Sequence, residues 1–210
     1  GYTLGALYEY SDQTRFGIGY RSQVKHKLKG DIKFEGLMLP ANQDISARIT
    51  TPANLTIGAY HDINDKWSVM AEFGRTYWSS FDTLDIYGEN NGKMSTTEER
   101  WKDTTFYAIG ASYQYNDQWK FRVGFAVDQS AVGQEYRTPR IPDSDRLWYS
   151  SGIEYKYNDD WTFNLGYTYI RADKGKVKLL GYHDGDNARG SLQADYENDI
   201  HILGFGASYN

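Results

Sequence analysis

The chain has no cysteine, only four prolines in 210 residues, and no basic block. Without cysteine it can form neither a disulfide nor a thiolate metal site. No stretch approaches the roughly 18 to 20 consecutive apolar residues of a membrane-spanning helix, which excludes helical membrane proteins. Twenty-three Lys and Arg stand against 28 Asp and Glu, a net charge of −5, and that balance offers nothing to nucleic acid. No charged segment followed by an apolar one opens the chain at Gly1-Tyr2-Thr3; if the protein is exported, its signal has been removed or lies outside this sequence. The mean hydropathy of −0.72 is that of a very polar chain. Aromatics nonetheless make up 16% of it, led by 19 Tyr, and disordered chains are poor in them. With 21 Gly, few prolines and abundant Tyr and Trp, the composition favours strands and turns.

The strongest motif is a repeat of turn chemistry. Tyr157-Asn158-Asp159-Asp160-Trp161 echoes Tyr115-Asn116-Asp117-Gln118-Trp119, and Asn64-Asp65-Lys66-Trp67 repeats its core. Tyr10-Ser11-Asp12-Gln13-Thr14-Arg15-Phe16 is a looser fourth copy. Asn and Asp bond to nearby backbone and tolerate turn conformations, so each copy predicts a tight hairpin turn flanked by aromatics.

Around these turns the sequence alternates with period two. Trp119, Phe121, Val123, Phe125 and Val127 alternate with Lys120, Arg122, Gly124, Ala126 and Asp128. Segments 146–157, 161–169 and 15–21 behave alike. Such alternation predicts strands with one apolar and one polar face. Nine strands are expected, near 2–10, 15–34, 53–62, 67–88, 101–115, 119–131, 146–157, 161–180 and 197–210. Short connections near 11–14, 63–66, 116–118 and 158–160 alternate with long ones near 35–52, 89–100, 132–145 and 181–196.

A soluble barrel and an outer-membrane barrel share this periodicity, with the faces reversed. Three features favour the membrane. Short turns alternate with long loops. Tyr10, Phe16, Trp67, Tyr115, Trp119, Tyr157 and Trp161 collect beside the short turns, where a headgroup layer would sit. The polar face carries Gly, Ser and Thr beside charges rather than a dense Lys/Glu mix. The expected fold is therefore all-β: an antiparallel transmembrane β-barrel in the bacterial outer membrane, with 1–210 as one barrel region. Nine strands put the two ends of the chain on opposite sides, and single-chain bacterial barrels have even strand numbers. The chain is expected to be the carboxyl-terminal part of a longer barrel, with Ile200, Ile202, Leu203, Phe205, Ala207 and Tyr209 along the outward side of its last strand.

The segment Tyr136-Arg137-Thr138-Pro139-Arg140-Ile141-Pro142-Asp143-Ser144-Asp145-Arg146, followed by Trp148 and the strand through Gly152, resembles one in the FadL/TodX family of outer-membrane transporters. Phe16 through His26, Thr51-Pro52-Ala53-Asn54-Leu55 and Trp119 through Gln129 are similar to that family too. The resemblance implies about fourteen strands in the whole barrel, an amino-terminal hatch that plugs the lumen, and passive uptake of long-chain fatty acids or other hydrophobic compounds. The hatch and the early strands are absent here. The implied partners are a hydrophobic small molecule, outer-membrane lipid and lipopolysaccharide, and the missing amino-terminal segment, with no cofactor. A general porin or a surface adhesin is the alternative.

A fatty acid needs apolar walls and a few cationic groups. The inward cations are Arg21, Lys25, Lys120, Arg122, Arg146 and Lys156. Arg21, Lys25, Arg122, Arg140, Arg146 and Trp148 are the ligand-binding candidates at the lumen or rim. The plainer role for each cation is to neutralise a neighbouring carboxylate. Arg122 and Glu154 are expected at equal depth on adjacent strands, and to pair. The loop through Arg140 is expected to be ordered by Arg140 and Arg146 pairing with Asp143 and Asp145; a gating loop is the other reading. Leu37, Met38, Leu39 and Pro40 offer an apolar landing site or simply a folded-over loop. His26, His61, His183 and His201 form no compact Ser/His/Asp pattern, so no catalytic residue is expected. No metal ligand set appears either, Asp184-Gly185-Asp186 reading as a turn.

Overall fold

The computed structural model describes residues 1–33, 42–89, 92–181 and 190–209. Its strands, in chain order, are β1 (Thr3–Ser11), β2 (Thr14–Arg21), β3 (Val24–Ile32), β4 (Gln43–Thr51), β5 (Asn54–Asp62), β6 (Trp67–Thr76), β7 (Thr83–Tyr87) and β8 (Lys93–Glu98). There follow β9 (Thr104–Gln114), β10 (Trp119–Asp128), β11 (Arg146–Lys156), β12 (Trp161–Ala172), β13 (Gly175–Leu179), β14 (Leu192–Tyr196) and β15 (Asp199–Tyr209).

The repeated turns close three hairpins in the same way. Asn64 Oδ1 accepts the amides of Lys66 and Trp67 at 2.9 and 3.0 Å. Asn116 Oδ1 accepts those of Gln118 and Trp119 at 3.0 and 2.9 Å. Asn158 Oδ1 accepts those of Asp160 and Trp161 at 3.0 and 2.7 Å. The side chain thus satisfies two amides that the reversing backbone leaves without a ladder partner. In the looser copy Ser11 Oγ accepts the Gln13 amide at 3.3 Å.

Nine strands form one antiparallel sheet in the order β1-β2-β5-β6-β9-β10-β11-β12-β15. Residues paired across strands share a face. Phe121, Ile153 and Leu165 lie in one row, as do Phe125, Tyr149 and Tyr169. Phe121, Val123 and Phe125 are 39%, 61% and 37% exposed, so this apolar face is left open by the described residues. That is the lipid-facing side of a membrane wall. At the short-turn end each tryptophan lies opposite a tyrosine. Trp67–Tyr113, Trp119–Tyr155 and Trp161–Tyr209 are register partners, with ring centroids 4.6, 4.4 and 5.1 Å apart. A girdle of amphipathic rings belongs at the membrane interface.

The other face is concave, because residues from all nine strands, Leu7 of β1 through Gly204 of β15, line a single cavity of about 910 Å³. The sheet is a partial barrel, with the exposed strands β1 and β15 as its edges.

Three expected strands are shorter in the barrel than their alternation suggested. Within the expected segments 15–34, 67–88 and 161–180 the wall strands β2, β6 and β12 end part-way, and after β6 the chain passes through the 3-10 turn Trp78–Ser80. Beyond the wall, β3, β4, β7 and β8 form a four-stranded sheet and β13 pairs with β14. The expected long loops 35–52, 89–100 and 181–196 therefore contain β4, β8 and β14. Period two persists wherever backbone is extended, so it cannot report which sheet a strand joins. At the seam between β2–β5 and β3–β4 the register does not slip: Arg21 pairs with Asn54 and Val24 with Thr51. The residues between them turn elsewhere. The Ser22 amide donates to Tyr2 O and Ala53 O accepts from Tyr77 N, both at 2.9 Å, and Pro52 has no amide to give.

Candidate functional site: the concave face of the wall

Glycine dominates the middle of the concave face. Gly152, Gly166 and Gly204 share one row with Arg122, and Gly110 and Gly124 stand side by side in the next. With so little side-chain bulk, the cavity reaches the backbone itself. Charged groups stand around this floor. Arg122 Nη2 lies 2.5 Å from Glu154 Oε2, and Lys120 Nζ lies 4.0 Å from Glu154 Oε1. The register differs from the expected one. Glu154 is directly opposite Lys120, while Arg122 faces Gly152 and reaches Glu154 diagonally. Counting depth from separate turns ignored the stagger that barrel closure imposes between neighbouring hairpins.

Nearer the long-connection end, Arg146 binds two carboxylates, Asp128 and Asp143, each at 3.0 Å. Asp145, one of its expected partners, instead accepts the Ser130 amide at 2.8 Å. Arg140 lies exposed on the loop, and no ion pair holds it among the described residues. Lys25 is also displaced: it sits on β3, in the four-stranded sheet beyond the wall. Arg21 remains on the concave face, exposed, in register with Thr3 and Asn54. Lys156 is bonded to Asp159 of the adjoining turn at 2.8 Å, and its ammonium holds that carboxyl below its ordinary range. The apolar segment Leu37 to Pro40, His183 and Asp184-Gly185-Asp186 lie outside the described residues. Among the described residues no cluster of His, Asp and Glu has the form of a metal site. His61 bonds to Thr14 and His201 to Tyr167, both on the lipid-facing side.

Beside Arg146 the concave face becomes apolar. Ala126, Trp148, Ile170 and Ile200 lie in one row, and Phe106 stands edge-on to Trp148 with centroids 6.4 Å apart. Ile200 and Ile202 project from this face, each close to half-exposed. The expected outward position of Ile200 and Ile202 is therefore wrong. Two isoleucines flanking His201 break the apolar-out pattern, and that irregularity was the available signal. The arrangement offers an apolar strip, a guanidinium already shared by two carboxylates, and a bare glycine floor.

At the rim, Asp103 lies where β6 and β9 leave the wall. Burial raises its carboxyl, but the Ser79 hydroxyl and amide and the Arg75 guanidinium together outweigh that and hold it below its usual value. The Ser79 amide donates at 2.9 Å and Arg75 Nη2 lies 3.6 Å away. Arg137 has the most enclosed position of any cation named so far. It is 8% exposed, and it donates to the carbonyls of Asp143, Lys176 and Val132 at 2.7, 3.0 and 3.5 Å. Sequence reasoning did not single it out, because nothing in the chain's pattern separates it from Arg140 three residues later.

Comparison with known proteins places this wall. Residues 1–210 match the family described as outer membrane protein transport protein (OMPP1/FadL/TodX). The long-chain fatty acid transport protein of Escherichia coli O6:H1 is 32% identical over 162 residues, which is 70% of this chain and 36% of that protein. Outer membrane protein P1 of Haemophilus influenzae is 29% identical over 100% of this chain and 46% of its own length. Among solved structures, a Pseudomonas aeruginosa FadL homologue superposes with a TM-score of 0.87 at 26% identity, covering 99% of this chain and 51% of that one. The Pseudomonas putida toluene transporter TodX shares the fold, with a TM-score of 0.67 at 24% identity over 99% of this chain and 48% of that one. The chain thus spans between about a third and a half of the length of these relatives. An all-β wall with an apolar outer face, an interfacial aromatic girdle and a match along its whole length leads to one conclusion: the chain belongs to the OMPP1/FadL/TodX family and forms part of a barrel in the bacterial outer membrane.

Proposed function

We propose that the protein containing this wall takes up long-chain fatty acids or similar hydrophobic compounds across the outer membrane by passive diffusion. The observation that carries the reading is the apolar strip Phe106, Trp148, Ile200 and Ile202, backed by the buried Ile170, on a concave face whose middle is glycine beside charge and which also carries Leu7, Tyr60 and Met70. A water-filled pore has no use for isoleucines turned toward its interior, whereas an acyl chain or aromatic ring gains contact there. The relatives' names support the same class: one is a long-chain fatty acid transport protein, another a toluene transporter. No chemistry of bond making is required of any residue. Arg146, committed to Asp128 and Asp143, serves mainly to order the rim, and Arg21 is the more available cation for a carboxylate headgroup.

The test uses the full-length protein, expressed in cells lacking other fatty-acid channels, with labelled oleate as ligand. Ile202→Asp and Trp148→Ala should each slow uptake several-fold while leaving the amount of folded barrel unchanged. Uptake equal to the parent in both variants overturns the reading. Planar-bilayer recording discriminates the general porin: large steady currents from the full-length protein would support an open aqueous pore instead.

A further inference from the structure

A second cavity, of about 470 Å³, lies between loop 129–145, Lys102 and the segment 173–176 that continues β12 past the wall. Lys102, Arg137, Lys174 and Lys176 line it, with Asp145 and Asp173. Lys174 is already neutralised by an ion pair with Glu197. Arg137 has no such partner among the described residues. Its three hydrogen bonds all go to backbone carbonyls, and among the described residues no carboxylate reaches it. Of the nearby carboxylates, Asp143 is engaged with Arg146 and Ser130 and Asp145 with the Ser130 amide, while Asp173 lines the cavity without pairing with the guanidinium. A guanidinium has five N–H donors, so two remain after the carbonyls are served. A buried charge held only by neutral acceptors is costly unless a counter-charge completes the site.

We propose that this cavity binds a phosphate group. Three observations converge on that chemistry: an enclosed guanidinium with donors to spare, two lysines without carboxylate partners among the described residues, and a lining with little apolar surface. The last point separates it from the transport ligand, since a fatty acid would find nowhere for its tail. A compact oxyanion with several acceptor oxygens matches the donors. The cavity opens at the long-connection end of the wall, the end that faces outward in barrels of this kind. Phosphates are available there from two sources, the headgroups of outer-leaflet glycolipid and free phosphate in the medium.

Arg137→Ala would leave three carbonyls without a donor and risks unfolding the loop, so the informative variant is Lys102→Ala combined with Lys176→Ala. Both side chains are exposed, and the backbone bonds made by Lys102 N and Lys176 O are kept. Inorganic phosphate is titrated calorimetrically into the full-length protein in a non-ionic detergent at low salt. The expected result is saturable binding to the parent, weakened at least tenfold in the double variant. Absence of saturable binding to the parent, or equal affinity in the variant, overturns the proposal. Glycolipid phosphate retained through purification is measured in the same two proteins. A lower content in the variant supports the proposal with glycolipid as the source; equal content alongside lost phosphate binding supports it with free phosphate as the source. Oleate uptake is read in parallel, so failure here is separable from failure of the transport reading.

Discussion

Asn116 illustrates how much one side chain can settle. Its carboxamide oxygen takes two amides of the turn, and its homologues in the repeat, Asn64 and Asn158, do the same. At about 0.5–1.5 kcal/mol net per hydrogen bond, Asn116→Ala should destabilise the barrel by about 1–2 kcal/mol in reversible urea unfolding, and Asn116→Asp by less. Asp103 makes a pH-dependent contribution. Its carboxyl titrates below its ordinary value of 3.8, so the ionised form is the one the fold favours. The stabilisation is complete above the ordinary value and is lost as pH falls through the depressed one. Asp103→Asn should therefore melt below the parent at pH 7, and the gap should close under strongly acidic conditions. A gap independent of pH would mean that the charge is irrelevant. Glu154 belongs to a different regime. Arg122 and Lys120 are partly solvated, so Glu154→Gln should cost less than about 1 kcal/mol despite the short contact.

Paired strands show what the sequence could and could not reveal. The nine strands of the wall, the four short turns and, Ile200 and Ile202 apart, the lipid-facing parity were legible, because each rests on a local rule repeated many times. The Trp–Tyr ladder follows from the same repeat: each of the three Asn turns places a tryptophan at the start of one strand and register brings a tyrosine opposite. A double-mutant cycle on Trp119 and Tyr155 should give a coupling of about 0.5–1.5 kcal/mol; a value near zero would reduce the pair to independent interfacial anchors. What was not legible depended on relations between elements. The ends of β2, β6 and β12 are set by where the neighbouring strand turns away, not by their own residues. The diagonal Arg122–Glu154 contact depends on hairpin stagger, and the enclosure of Arg137 depends on loop 129–145 folding against β13, 30 or more residues downstream.

The whole molecule is a curved wall whose inner surface is kept thin. A Cβ added at Gly204, on the edge strand β15, meets nothing within 4 Å among the described residues, so nothing in this wall itself excludes a side chain there. Gly204→Leu should leave stability unchanged or slightly raised, since a branched side chain suits a strand better than glycine. It should nevertheless reduce oleate uptake by the full-length protein, because the added carbons occupy the passage. Unimpaired uptake with normal folding would show that the ligand avoids this part of the floor.

The unbroken count across the seam at Ser22-Gln23 and Pro52-Ala53 has one more implication, for engineering. The projecting hairpin inherits its orientation from the wall beneath, with Lys25, Lys27, Lys29 and Arg48 on one side and Val24, Leu28, Ile45 and Ile49 on the other. Peptides spliced into both arms at that joint preserve the display when each insert has an even number of residues and invert it when the number is odd.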